Sequence, residues 1–249
     1  MADGASSGWI WVIQWVAMGP IFVVAMNRVR TLDRALAIAL LTTLGLQIFL
    51  LLIRSVSGGI SPWTLVERSI EASIQRAFVV YGEMGLVPEE MTISEGSISN
   101  LSRAIALIVP GSIIAVDTLL YWWTLLVQRW VMGLSGIQGP GPKVLRTWGL
   151  PYPWVWVTIM GGVLTVLPVG GLGWIGVNLL IVMGTLHFLQ GIGVLSTFFH
   201  NRDVPAFIRG IFYFLVCFQQ VVLLGVIILG MFDIWFDFRK RWAPKSTDR

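Results

Sequence analysis

Six long apolar stretches, each bounded by charges or by Pro and Gly, limit what this chain can fold into more than any other feature. They run approximately over 9–26, 35–53, 104–129, 154–169, 174–199 and 208–232. About 20 mainly apolar residues are needed for a helix to cross the ~30 Å hydrocarbon core of a bilayer. Inside hydrocarbon every backbone N–H and C=O has to be satisfied within the segment, so such runs are helical. The sequence therefore predicts an all-α, polytopic transmembrane helix bundle of about six spans, forming a single integral membrane domain over 1–249. The fourth stretch is the shortest, with Pro153 before it and Pro168, Gly170 and Gly171 after it. Charged residues are 12% of the chain, against roughly a quarter in a soluble domain, which agrees with flanks that face acyl chains rather than water.

Composition also removes several function classes. The net charge of +4 sits mostly in loops and the C-terminal tail, where it reads as a topology signal, and no basic groove for nucleic acid is implied. The lone Cys217 lies in an apolar run, which excludes an intrachain disulfide and a cysteine metal cluster. No phosphate loop, HExxH, CxxC or GxSxG occurs, and His187 and His200 are too far apart for a helical metal pair. The expectation is a protein that is not an enzyme and holds no metal or cofactor. Residues 1–8 carry no Lys or Arg, and no small-residue cleavage site follows the first apolar run, so the first helix is expected to remain in the mature chain.

The polar segment 54–103 opens with helical periodicity. Ser61 and Pro62 have the character of an N-cap and first helical residue. Val66, Ile70, Ile74, Ala77 and Tyr81 then recur every three or four residues, with Glu67, Arg68, Glu71, Gln75 and Arg76 mostly opposite. This predicts an interfacial amphipathic helix over 61–82, lying on the membrane surface or against the bundle, with partner docking as the alternative. For six spans, Arg54, Arg68, Arg76, Arg103, Arg239, Lys240, Arg241, Lys245 and Arg249 share the tail's side; Arg28, Arg30, Arg34, Arg129, Lys143, Arg146, Arg202 and Arg209 take the other. Nine against eight does not decide the orientation. The cluster Arg239–Arg241 at the end of the last apolar run, heading the basic tail 239–249, favours a cytoplasmic C-terminus.

Asp117 stands near the middle of the third stretch, bracketed by Arg103 and Arg129. A carboxylate at that depth costs roughly 2.5–3.5 kcal/mol on insertion scales and is expected to face protein or a cavity. Pro110, Asp117, Tyr121, Thr124 and Gln128 project along one helical face. In the fifth stretch His187 lies between Gly184 and Gly191, with Gln190 one turn on, which invites close helix contact. Asp117, Tyr121, Thr124, Gln128, His187 and Gln190 form the candidate intramembrane polar site, with His187 as the natural partner of Asp117. The functional reading is proton handling or transport; the bland one is hydrogen bonding that joins helices. Gln219 and Gln220 are read as interhelical glue. Past the last stretch, Asp233 and Asp237, and Asp237 and Arg241, are spaced i, i+4, predicting one helical face with a carboxylate pair and an ion pair. Asp233, Asp237, Arg239 and Arg241 are accordingly the candidate cytoplasmic anchor or docking point.

Trp148-Gly-Leu-Pro-Tyr-Pro-Trp154, Asn178, Phe188-Leu-Gln-Gly191 and Gly230-Met-Phe-Asp-Ile-Trp-Phe-Asp-Phe-Arg-Lys-Arg241 together resemble the YybS-like family of predicted bacterial multi-pass membrane proteins. The resemblance is best from about residue 104 to 241 and thinner from 18 to 100, where Tyr81 to Glu90 is similar to a loop of that family. It implies a bacterial cytoplasmic (inner) membrane protein, shortened at its N-terminal end relative to members with additional helices. It assigns no activity. The resulting expectation is a multi-pass membrane protein that binds or helps translocate a small solute; the alternative is a non-catalytic scaffold or partner-binding subunit of an envelope complex. Its partners would be the lipid bilayer and a membrane or cytoplasmic protein.

Overall fold

The computed structural model describes residues 19–26, 31–86, 95–134 and 148–242. Helix makes up 87% of them, and no strand is present among the described residues. The chain packs as two compact units, Met1–Tyr121 and Trp122–Arg249. The first expected span falls outside the described residues up to position 18, as does the tail beyond Trp242.

The first unit contains α1 (19–26), α2 (Leu32–Gly58), α3 (Pro62–Glu83) and the N-terminal part of α4 (Glu95–Leu134). α2 ends because Gly59 adopts φ 62°, a left-handed conformation that glycine enters without a Cβ penalty, and its N–H returns to the Ser55 and Val56 carbonyls. The chain then re-enters helix at once. Ser61 Oγ accepts from the Thr64 N–H at 3.1 Å and Pro62 occupies the first turn, as the Ser-Pro pair predicted. α3 covers the expected 61–82 segment and buries no residue completely.

In the second unit, α4 continues to Leu134, followed by α5 (Trp154–Val166), α6 (Leu172–Asn201), α7 (Ala206–Phe218), α8 (Gln220–Phe236) and α9 (Phe238–Arg241). α5 and α6 form an antiparallel pair. Thr158 meets His187 near one end, and at the other a Cβ on Gly176 would stand 2.5 Å from the Thr165 nitrogen. Gly171 at φ 82° makes the turn between them. The crossing of α6 and α8 is closer still. A Cβ on Gly230 would overlap the His187 carbonyl oxygen, and one on Gly191 would overlap the Val226 carbonyl oxygen. Backbone-to-backbone approach through small residues is the usual way apolar helices associate where lipid supplies no hydrophobic drive.

Among the described residues three helices, α2, α4 and α6, are long and apolar enough to cross a membrane, and a fourth crossing is counted if the bent pair α7 and α8 is one span. They contain the expected stretches 35–53, 104–129 and 174–199. The stretch 154–169 appears as the 13-residue α5. Correction is needed at 208–232, which is not one helix: α7 and α8 meet at 103° across Gln219, whose backbone is extended (φ −107°, ψ 106°). Gln219 and Gln220 are exposed there rather than joining helices. The break falls at the one pair of adjacent amides in the run, with no Pro or Gly at the site. Gly184 is also corrected, since a Cβ there meets nothing within 4 Å.

Gly230→Ala is therefore expected to force α6 and α8 apart at a cost of about 1–3 kcal/mol, the scale of overpacking. Gly184→Ala serves as its control and should leave the unfolding midpoint in detergent unchanged. Equal midpoints for both variants would show that the crossing is not held by close backbone contact.

Candidate functional site

In the first unit the polar side chains of α2 and α4 form two rungs. The Gln47 Nε2–H donates to Asp117 Oδ2 at 2.9 Å. One turn away, the Thr43 hydroxyl is hydrogen-bonded to the Tyr121 hydroxyl. Thr43 and Gln47 are i, i+4 on α2, Asp117 and Tyr121 are i, i+4 on α4, and the pairs run in opposite order, so the facing rows are antiparallel. Thr43 also donates to Ala39 O at 2.9 Å, and the Tyr121 hydroxyl lies 3.3 Å from the same oxygen. The Phe22 ring of α1 packs on Tyr121 with centroids 5.5 Å apart. Asp117 is 4% exposed, Thr43 and Tyr121 0%, which places the carboxylate among protein groups. Gln47 Oε1 is buried and has no hydrogen-bond partner among the described residues.

Gln47 and Thr43 are not among the sequence-predicted site residues, because a polar stripe on the third stretch does not by itself name the stretch that faces it. The signal was present: an i, i+4 pair of hydrogen-bonding side chains in 35–53 matches the i, i+4 spacing of Asp117 and Tyr121.

The other expected members of the intramembrane site belong to the second unit. Thr124 and Gln128 are half-buried, and Gln128 Oε1 lacks a hydrogen-bond partner among the described residues. His187 is 1% exposed and hydrogen-bonded through Nε2 to the Thr158 hydroxyl of α5 at 2.9 Å, while its Nδ1 is buried without a partner among the described residues. The hydrogen bond of Asp117 thus goes to Gln47 and that of His187 to Thr158, two partners that the sequence reading did not name.

Gln190 anchors a separate network. Its Oε1 accepts from the Leu150 N–H at 3.1 Å, and its Nε2 donates to Asp233 Oδ2 at 3.2 Å. Asp233 Oδ1 accepts from the Phe238 N–H at 3.0 Å, which caps the turn into α9. Arg239 completes it: Nη1 donates to Trp148 O at 2.5 Å, Nη2 to Gln190 O at 3.2 Å, and Nε lies 3.4 Å from Asp233 Oδ2. The side chains of Asp233 and Arg239 are 7% and 13% exposed. Both are buried within the unit, where the sequence predicts a cytoplasmic anchor or docking point.

The i, i+4 reading of this segment is corrected for a definite reason. Asp237 adopts φ 45°, ψ 56°, ending α8 and setting α9 off in a new direction, so helical spacing does not carry across it. Asp237 bonds Lys240 at 2.5 Å instead of pairing with Arg241. The hydrogen bond from the Lys240 ammonium holds the Asp237 carboxyl below the usual carboxylate range, and the same contact raises Lys240. Arg241 is exposed, its guanidinium 5.7 Å from the Phe236 ring centroid. Among the described residues no cluster of His, Cys, Asp and Glu is arranged to hold a metal ion.

Two outcomes follow. Asp117→Asn keeps an oxygen for the Gln47 amide and should unfold close to the wild-type midpoint, whereas Asp117→Leu strands that amide and should cost about 1–3 kcal/mol. If the two variants melt alike, the Gln47 bond carries no stability. Arg239→Gln leaves the buried Asp233 without its cation and is expected to cost about 3–5 kcal/mol. Adding Asp233→Asn should recover part of that loss, and strictly additive losses in the double variant would rule out the coupling.

No curated protein and no solved structure matches the chain. The family model described as "Predicted membrane protein (DUF2232)" matches residues 2–234, a range that includes both polar clusters up to Asp233 and also covers 18–100, where the resemblance read from the sequence is thinner. The helices long and apolar enough to cross a bilayer, and the match over nearly the whole chain, lead to one conclusion: the chain belongs to the DUF2232 family of predicted membrane proteins.

Proposed function

We propose that this protein is a non-catalytic scaffold or partner-binding subunit of an envelope complex in the bacterial cytoplasmic membrane, with its C-terminus cytoplasmic. The observation that carries the reading is how its buried polar side chains are used. Asp117, His187, Gln190, Asp233 and Arg239 each spend hydrogen bonds on another helix or loop of the same unit, the pattern of groups that join helices. The YybS-like resemblance supports a bacterial location, and three segments that carry it, 148–154, 188–191 and 230–241, meet around Arg239. The amphipathic α3 and the exposed Lys240 and Arg241 remain for partners outside the bundle.

A second reading, binding or translocation of a small solute, is favoured by one feature. Gln47 Oε1 is a buried acceptor beside Asp117 with no partner among the described residues, and a solute donor would satisfy both.

Purification in native lipid followed by mass spectrometry separates the two. A protein partner at fixed stoichiometry, with no small molecule retained, is the expected result. A small molecule lost on Asp117→Leu, with no protein partner, would replace the scaffold by the solute reading.

A further inference from the structure

The chain leaves α6 at Asn201 and turns into α7 with the Val204 N–H donating to Phe199 O at 3.0 Å. It passes through α7, the 103° bend at Gln219 and α8, and then returns to where it left. The Asn201 Nδ2–H donates to Trp242 O at 3.2 Å, and the Trp242 ring lies 5.0 Å from that of Phe198. Further down α6, Arg239 holds the Trp148 and Gln190 carbonyls. A segment that crosses a bilayer once has ends about 30 Å apart along the membrane normal; the ends of this one touch.

A segment with touching ends crosses either not at all or twice. Two crossings do not fit. α7 has 13 residues and α8 has 17, roughly 20 and 25 Å at 1.5 Å per residue, both short of the hydrocarbon core. A hairpin of two spans also needs a reversal of direction near 180°, well beyond the observed bend. We propose that α7 and α8 form a re-entrant loop, which enters and leaves on one face of the membrane and replaces the sixth crossing. The exposed apolar side chains of α7, Phe207, Ile208, Ile211, Phe214 and Phe218, then lie against the acyl chains of that leaflet. Irregular backbone such as Gln219 is sustained at membrane depth only against protein or water, and the exposed Gln219 and Gln220 mark the tip where that support is required.

Single cysteines at Arg202 and at Lys240, introduced one at a time into the full chain carrying Cys217→Ser, test the loop with a membrane-impermeant maleimide. Both are expected to react in inside-out vesicles and to be protected in intact spheroplasts. Reaction of both from the outer face instead would retain the loop and overturn only the cytoplasmic tail. Reaction from opposite faces would overturn the loop and restore a single broken span. Ala206→Cys and Arg241→Cys read the same parity should either first variant fail to accumulate.

Discussion

A guanidinium removed from water has to find acceptors for a rigid fork of donors, and Arg239 finds them on three separate segments. It takes the Trp148 carbonyl before α5, the Gln190 carbonyl inside α6 and the Asp233 carboxylate at the end of α8. The Gln190 carbonyl comes from a helix interior, where main-chain oxygens normally have a partner already, so Arg239 adds a second bond to it. The Gln190 amide fills the gap beside it by bridging Leu150 to Asp233. Removing any one of these groups leaves another buried and unsatisfied. That mutual dependence sets where the chain before α5 and the chain after α8 sit against α6.

In the first unit the buried polar group is a carboxyl, and the partners it has among the described residues are neutral. Asp117 is placed where an isolated charge is costly, and its near neighbours are amide and hydroxyl groups from α2. Two rungs one turn apart fix the register of facing helices in a way that apolar contacts do not, because sliding by one residue breaks both. The glycine crossing of α6 and α8 works by shape instead. It admits only residues without a Cβ, and it needs no directional bond.

Much of this was legible from the sequence where one residue governs one local event. Ser61-Pro62 predicted the start of α3 and periodicity its length, while burial of Asp117 followed from the cost of a carboxylate in hydrocarbon. Partner choice was harder to read. Asp117 was matched with His187 because both ionise, yet the bond it makes is to the neutral Gln47, which stands out only when two stretches are compared rung by rung. Asp233, Asp237 and Arg241 were assigned from helical spacing, a rule that assumes the helix continues; the left-handed Asp237 ends it. Arg239 reads locally as part of a cytoplasmic anchor or docking point, and nothing near it in sequence points to Trp148, 91 positions earlier, as its acceptor.

The same distinction explains why hydropathy alone reads 208–232 as a crossing. Hydropathy reports how much apolar surface a stretch carries, and α7 and α8 carry enough for a span. It says nothing about direction, which depends on where the two ends are held. Those ends are held by polar contacts: Val204 to Phe199 on entry, and Asn201 to Trp242 with Arg239 to Trp148 on return. Each is short in space, and the last two join residues distant in sequence. An apolar segment tied at both ends to the same region cannot translate across the bilayer, whatever its composition. It has to turn inside, and the turn falls where the apolar run is interrupted by two adjacent amides.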